Sequence, residues 1–320
     1  ALLEGGHLAL RERAEAGELL GKLGDPRPGV GVLPGTGGGP PLPDLVWVEV
    51  PAGSFLMGSS EEDEEAASWE GPQHRMEIPY SYWLARFPTT VAQYGCFVED
   101  HGYDDPRWWT PRGWAWRRGE LRGASMRWEQ QQEHPNRPVR WVTWFEAVAF
   151  CRWLTERLQA AGSQGRVWYG GQHSDLRLPV PGFRCRLPTE AEWERAARGE
   201  RGRRYAWGDK AWEPQRANLA GTVGDVAPVG MFPLGATPSG LLDMTGNVWE
   251  WTASLYRSYP YRGDDGRNDE EAEGPRVVRG ACWDYFQGGA RCAYRAWNDP
   301  DDYYLTIGFR VVMSLASSDS

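Results

Sequence analysis

The side chains with the widest chemical range in this sequence are five cysteines, Cys96, Cys151, Cys185, Cys282 and Cys292, and five histidines, His7, His74, His101, His134 and His173. Thiolates and imidazoles of this kind hold zinc, copper or iron, but no CxxC pair occurs and no two histidines share a helical spacing. Cys282 and Cys292, ten residues apart, could meet across a turn, while inert buried thiols are the default reading of all five. An odd number of unpaired cysteines in a long chain fits a reducing compartment, and so a cytoplasmic location. Two acidic runs, Glu61-Glu62-Asp63-Glu64-Glu65 and Asp269-Glu270-Glu271, read as solvated loops, with calcium as the alternative for such hard oxygen donors. Near the C-terminus, Asp299-Pro300-Asp301-Asp302-Tyr303-Tyr304 has the composition of a contact surface, in which Tyr supplies rigid amphipathic area at low entropic cost.

Several elements could position these groups. Thr90-x-x-Gln93, Thr143-x-x-Glu146 and Thr189-x-x-Glu192 are capping boxes, each ahead of an apolar-periodic run, and predict three helices. In the second of them Phe145, Val148, Ala149, Trp153 and Leu154 share one face, which places Cys151 in a core. The stretch 45–58, interrupted by Pro51 and Gly53, predicts two strands joined as a β-hairpin. Trp249 and Trp251 flank Glu250 with a period of two, which predicts a strand with its indoles inward and its carboxylate outward. Residues 4–23 predict a helix stopped by Gly24 and Pro26, followed by a Gly/Pro-rich tether. The division is then 1–44 for helix and tether and 45–315 for the main domain. Long stretches around Trp108, Trp109, Trp114, Trp116 and Trp128 show no clean period.

Composition bounds the function. The 320 residues are 41% hydrophobic and 25% charged, enough for a sizeable core, and 19 Trp, 40 Gly and 24 Pro predict aromatic anchors holding many irregular connections. A net charge of -9 repels phosphate backbones, so nucleic acid is not an expected partner. No run approaches the ~18 apolar residues of a membrane span. The chain opens at Ala1 rather than Met, which leaves room for an upstream segment.

An ordered series of segments resembles the formylglycine-generating enzyme (sulfatase-modifying factor) family. The matching pieces are Pro51-Ala52-Gly53-Ser54-Phe55-Leu56-Met57-Gly58, Asn136-Arg137-Pro138-Val139, Arg186-Leu187-Pro188-Thr189-Glu190-Ala191-Glu192-Trp193-Glu194, Gly246-Asn247-Val248-Trp249-Glu250-Trp251, Arg276-Val277-Val278-Arg279-Gly280 and Ile307-Gly308-Phe309-Arg310. The resemblance implies an α+β fold of the C-type-lectin type, with a small antiparallel sheet, a few helices and extensive irregular loops. It also implies a structural calcium ion at Asp243, Gly246, Val248 and Glu250, and no required cofactor beyond that. In the family's enzymes two cysteines hold copper. Aligned on Trp283, this chain has Tyr285 at the first of those positions, and neither Gly289 nor Ala290 supplies the second, so the expectation is a protein that is not an enzyme. The alternative is a divergent oxidase using copper or iron.

The last part of the chain, 279–310, is similar to the variable region of diversity-generating retroelement proteins, in which adenine-directed mutagenesis turns AAY codons into NNY. Such codons cannot encode Trp, Gln, Lys, Glu or Met. The resemblance implies that the varied, ligand-binding positions are Asp284, Tyr285, Phe286, Gly288, Gly289, Tyr294, Ala296, Asn298, Asp299, Asp301, Asp302, Tyr303, Tyr304, Leu305 and Thr306, all compatible with NNY. Trp283, Arg291, Arg295 and Trp297 are then fixed scaffold, the arginines holding backbone or carboxylates and the indoles buried by packing. The expected function is non-catalytic display of a diversified surface, its partner an unidentified protein or other macromolecule.

Overall fold

In the computed structural model, which describes residue 3 and residues 8–35, 39–161, 164–169, 172–177 and 182–315, each Thr-x-x-Gln/Glu motif opens a helix. The elements in chain order are α1 (Leu10–Leu23), β1 (Val32–Leu33), β2 (Leu42–Pro43), β3 (Val46–Val50), β4 (Gly53–Met57), β5 (His74–Ile78), β6 (Tyr82–Ala85) and α2 (Val91–Glu99). There follow α3 (Pro111–Glu120), α4 (Trp128–Gln132), α5 (Trp144–Ala160), β7 (Gln164–Tyr169), β8 (Gln172–Arg177), β9 (Phe183–Arg186) and α6 (Glu190–Arg198). The chain closes with β10 (Trp249–Leu255), β11 (Arg276–Arg279), β12 (Arg295–Asn298), β13 (Ile307–Phe309) and β14 (Val312–Leu315).

Two larger sheets carry the architecture. One has the order β8-β7-β3-β6-β14-β9, antiparallel except for the parallel pair β3 and β7; the other has the order β12-β11-β10-β13, antiparallel except for β10 and β13. The closing motif Ile307-Gly308-Phe309-Arg310 therefore links them, since β13 lies in the smaller sheet and β14 in the larger. The expected hairpin of β3 with β4 is not formed. β3 is buried almost throughout and sits between β6 and β7, while β4 leaves to pair with β5 as a separate ribbon. A strand apolar on both faces is stabilised at the centre of a sheet rather than in an isolated ribbon.

The main core surrounds α5. Phe145, Val148, Ala149, Trp153 and Leu154 are all buried, Tyr94 stacks on Phe150 at 5.5 Å, and Phe309 meets Phe150 at 5.4 Å. Cys151 lies in this core, and burial pushes its thiol well above the usual value. The aperiodic Trp-rich stretch folds in part as α3 and α4. Thr110 caps α3 by accepting from the Gly113 N–H, and Pro111 stands in its first turn, a start signal that the absence of periodicity concealed.

The N-terminal helix is docked on the domain. Gly17 and Gly21 bring α1 against Asn136, whose Nδ2 donates to the Gly17 carbonyl at 2.9 Å; a Cβ at Gly21 would meet Asn136 Oδ1 at 2.6 Å. Arg137 pairs with Glu18 at 2.6 Å, and Arg13 donates to the Met231 carbonyl at 3.1 Å. The following residues pack too: the Val30 carbonyl accepts from Thr90 Oγ1, and Gln93 Nε2 donates to the carbonyls of Gly29 and Asp44. Among the described residues no helix is long and apolar enough to cross a membrane.

Candidate functional site

The segment 279–310 is held from beneath by four arginines, each facing a fully buried glutamate from elsewhere in the domain. Glu190 and Glu194 stand one turn apart on α6, so both project from one face of that helix toward the segment. Arg295 makes a two-pronged contact with Glu190, Nε and Nη2 each at 2.7 Å, and Arg279 pairs with Glu194 while donating to the Ala293 and Tyr294 carbonyls at 2.8 and 2.7 Å. Arg291 meets Glu70 through both Nη atoms at 2.7 Å, and Arg310 meets Glu250 while donating to the carbonyls of Ala85, Arg86 and Leu242. Burial works against the charge of Arg279 and Arg295. The attraction of Glu194 and of Glu190 outweighs it, so both guanidinium groups are held above their ordinary value. Geometry of this kind fixes a backbone path, because removing one partner would strand a buried charge at a cost of about 3–5 kcal/mol.

Between these anchors the side chains divide by exposure. Asp284, Phe286, Asp299, Asp301, Tyr304 and Leu305 are exposed, and Tyr285, Gly288, Ala296, Asn298, Asp302, Tyr303 and Thr306 are half-buried. Two of the expected contact positions are buried instead. Tyr294 is 8% exposed, enclosed by Trp249, Tyr285 and Phe286, with its hydroxyl 2.9 Å from that of Tyr285. A Cβ at Gly289 would lie 2.3 Å from the Tyr285 ring, so a larger residue there would have to displace that ring. Asp302 sits among like charges: burial first, then Asp299 and Asp301, raise its carboxyl, against the Asp299 N–H that it accepts.

Among the expected scaffold residues, the indoles need correction. Arg291 and Arg295 are buried and paired with carboxylates. Trp297, expected in the core, is 43% exposed: β12 is an edge strand, and the ring is met by Tyr256, stacked at 4.0 Å, and edge-on by Trp69 at 6.2 Å. Trp283 is half-buried. Trp69, itself 41% exposed, donates its indole N–H to the Arg295 carbonyl at 3.1 Å and so belongs to the same surface. Nothing in the spacing marks Trp69, Tyr256 or Glu70 as neighbours of this segment. Glu190 and Glu194 were legible as an i, i+4 pair within a capping-box helix. A cavity of about 390 Å³ opens beside the 299–301 turn, lined by Arg112, Trp116, Phe145, Asp299, Pro300 and Asp301 among others. A larger one, of about 430 Å³, lies near Tyr80, Arg186, Tyr261 and Asn268 and has no lining residue from 279–310.

The residues implied for calcium do not fit that ion. Glu250, expected to point outward, is fully buried, and its two oxygens accept from the Arg310 guanidinium and from Trp193 Nε1 at 2.7 Å. Asp243 accepts the Gly230 N–H, and burial pushes its carboxyl up to about 6. A guanidinium already occupies the charge-compensating position that a cation would take. Cys282 and Cys292 pack into different clusters; the Cys282 thiol donates to Asp284 Oδ1 at 3.0 Å, and burial pushes Cys292 up to about 12. Among the described residues no group of three or more His, Cys, Asp and Glu side chains is placed to hold a metal ion.

With this geometry in view, the kinship of the chain is clear. The sulfatase-modifying factor enzyme 1-like domain matches residues 39–315. Hercynine oxygenase of Mycolicibacterium smegmatis is 34% identical over 290 residues, covering 82% of this chain and 60% of its own length, so the chain spans about 60% of that relative. Among solved structures, PvdO from Pseudomonas aeruginosa has a TM-score of 0.61 at 23% identity, covering 90% of this chain and 100% of its own. Treponema denticola variable protein 1 has a TM-score of 0.57 at 22% identity, with 83% and 94% covered. Both support the fold, which is of the expected C-type-lectin-like α+β type. The expectation that the chain is not an enzyme is overturned, because relatives 31–34% identical over most of it carry the name of an oxygenase. The reason for the error is physical: an unmatched cysteine pair removes one way of holding copper and says nothing about other chemistry. This chain belongs to the formylglycine-generating enzyme, or sulfatase-modifying factor, family.

Proposed function

We propose that the chain is a ligand-recognition domain whose contact surface is the segment 279–310, diversified by a retroelement on a fixed frame, with a protein or other macromolecule as partner. One observation carries this reading. The arginines of the segment, Arg279, Arg291, Arg295 and Arg310, are buried against glutamates, while every position assigned to variation except Gly289 and Tyr294 reaches the surface. A surface built this way tolerates exchange of Asp, Tyr, Phe and Leu side chains without changing the backbone beneath. The fold likeness to Treponema denticola variable protein 1 supports it. The test is to sequence the encoding locus for a second copy of the segment beside a reverse-transcriptase gene. Mismatches confined to template adenines are expected; a locus without such a copy would sink the diversification.

A second reading has its own support in the 34% identity to hercynine oxygenase. Here the chain would form the substrate-recognition part of an iron-dependent oxygenase, with the metal ligands supplied by the portion of such a protein that this chain does not match. Saturable binding of hercynine to the chain in a calorimetric titration would favour it. No binding would count against it for this chain.

A further inference from the structure

α3 ends at Leu121, which takes left-handed backbone (φ 55) and leaves its own side chain 84% exposed. This is an unfavourable conformation for a branched residue. Its effect is to turn the chain so that Arg122 runs back beneath the C-terminal segment. The Arg122 guanidinium lies 4.9 Å from the Trp116 ring centroid and 4.6 Å from the Tyr303 ring centroid. Its side chain is 15% exposed, yet all three nitrogens are buried and none has a hydrogen-bond partner. No other arginine among the described residues is left so incomplete.

The nearest counter-charge, Glu146, does not complete it. Oε1 of Glu146 accepts the Tyr103 hydroxyl at 2.6 Å, and Oε2 accepts both the N–H and the hydroxyl of Thr143 at 2.8 and 2.9 Å. The carboxylate is committed to its capping box and stays 3.8 Å from Arg122 Nη2. A guanidinium fork normally finds a carboxylate of matching width, and a buried one without any acceptor is costly. Of the two aromatic rings that meet the guanidinium, that of Tyr303 belongs to one of the positions assigned to variation.

We propose that Arg122 is the binding group of a latent carboxylate site under the C-terminal surface, and that the residue at position 303 determines whether the site is open. With Tyr303 in place the ring covers the guanidinium through a cation–π contact and keeps it from solvent. A small residue at 303 leaves a channel the width of a phenol, floored by the fork of Arg122. Asp301 and Asp302, the two residues before position 303, carry negative charge that disfavours small mobile anions. The site therefore selects a carboxylate held on a larger ligand, such as an acidic side chain of a protein partner or an aromatic acid. Exchange at this one position would switch the ligand class of the surface. The inference rests on 279–310 being the contact surface, but it is tested independently of the locus and of the other positions.

The test is calorimetric titration of benzoate, with its neutral isostere benzamide as the comparison, into the wild-type chain, Tyr303→Ala, Tyr303→Phe and Tyr303→Ala with Arg122→Met. Tyr303→Ala is expected to bind benzoate at least about 10-fold more tightly than it binds benzamide and than the wild type binds benzoate, the scale of a charge-assisted hydrogen bond regained. Tyr303→Phe keeps the ring and should behave as the wild type, and Arg122→Met should abolish the gain. If Tyr303→Ala takes benzoate and benzamide equally, or takes neither, the proposal is overturned, as it is if the gain survives Arg122→Met. Should Arg122→Met fail to fold, the benzamide and Tyr303→Phe comparisons decide alone. A negative result here would leave the contact-surface reading untouched, since that reading stands on the locus and on positions other than 303.

Discussion

Residues 291–295 and residues 299–305 belong to one stretch of chain, have similar proportions of charged and aromatic side chains, and behave oppositely. In the first, Arg291 and Arg295 are buried on Glu70 and Glu190, and Tyr294 is enclosed by three rings. In the second, Asp299, Asp301, Tyr304 and Leu305 are exposed, and the carboxylates crowd together. What separates them is the availability of a partner. α6 and the 59–70 loop present glutamates to the first stretch, whereas the second is the turn between β12 and β13, whose Pro300 and Tyr304 carbonyls accept the Trp144 and Trp141 N–H groups and whose Tyr303 ring faces Arg122 beside the mouth of a cavity.

The largest effect expected from this contrast is at Arg295. Arg295→Ala strands Glu190 in the interior and should cost about 3–5 kcal/mol, read as a fall in urea midpoint. A loss below about 1 kcal/mol would show that the frame is not what holds the segment. Acid should act on the same helix. Burial raises the Glu192 carboxyl, but Arg186, bonded to both its oxygens at 2.7 Å, and the Thr189 cap outweigh this and leave it below its ordinary 4.5. The folded state then binds that proton less tightly than the unfolded state does. Its contribution is complete above the ordinary value and is lost as pH falls through the lower folded one. Stability should therefore decline on acidification below about pH 4.5, with a shallower acid limb in Glu192→Gln. An unchanged limb would assign the loss to other carboxylates.

Smaller effects mark the surface side. Trp297→Ala should cost about 1–2 kcal/mol, short of the 3–5 of a fully buried indole, because one face and one edge of the ring are covered. Tyr304→Ala should change stability by no more than about 0.5 kcal/mol in the same denaturation experiment. A Tyr304 effect as large as that at Trp297 would erase the distinction between frame and surface.

Much of this was legible before any coordinates. The three capping boxes marked α2, α5 and α6, because a cap is a local signal carried by residues three apart. The series of short motifs marked the fold. Two misreadings share one cause: each is a local pattern overruled by the tertiary surroundings. The alternation at Trp249-Glu250-Trp251 suggested an outward carboxylate, and Arg310, sixty residues on, drew it inside. Trp297 was assigned to the core by residue type, and β12 proved to be an edge strand. Arg122 carried no sequence signal, since its place under Tyr303 depends on the left-handed turn at Leu121.

The most direct test of the frame-and-surface account is a display library in which Asp284, Phe286, Asp299, Asp301, Tyr304 and Leu305 are randomised together, sorted for folded protein beside a second library at Arg279, Arg291, Arg295 and Arg310. The account predicts that most members of the first library fold, with melting temperatures within a few degrees of the parent, and that the second returns almost only arginine at each position. Equal depletion of the two libraries, or free substitution of the arginines, would contradict it.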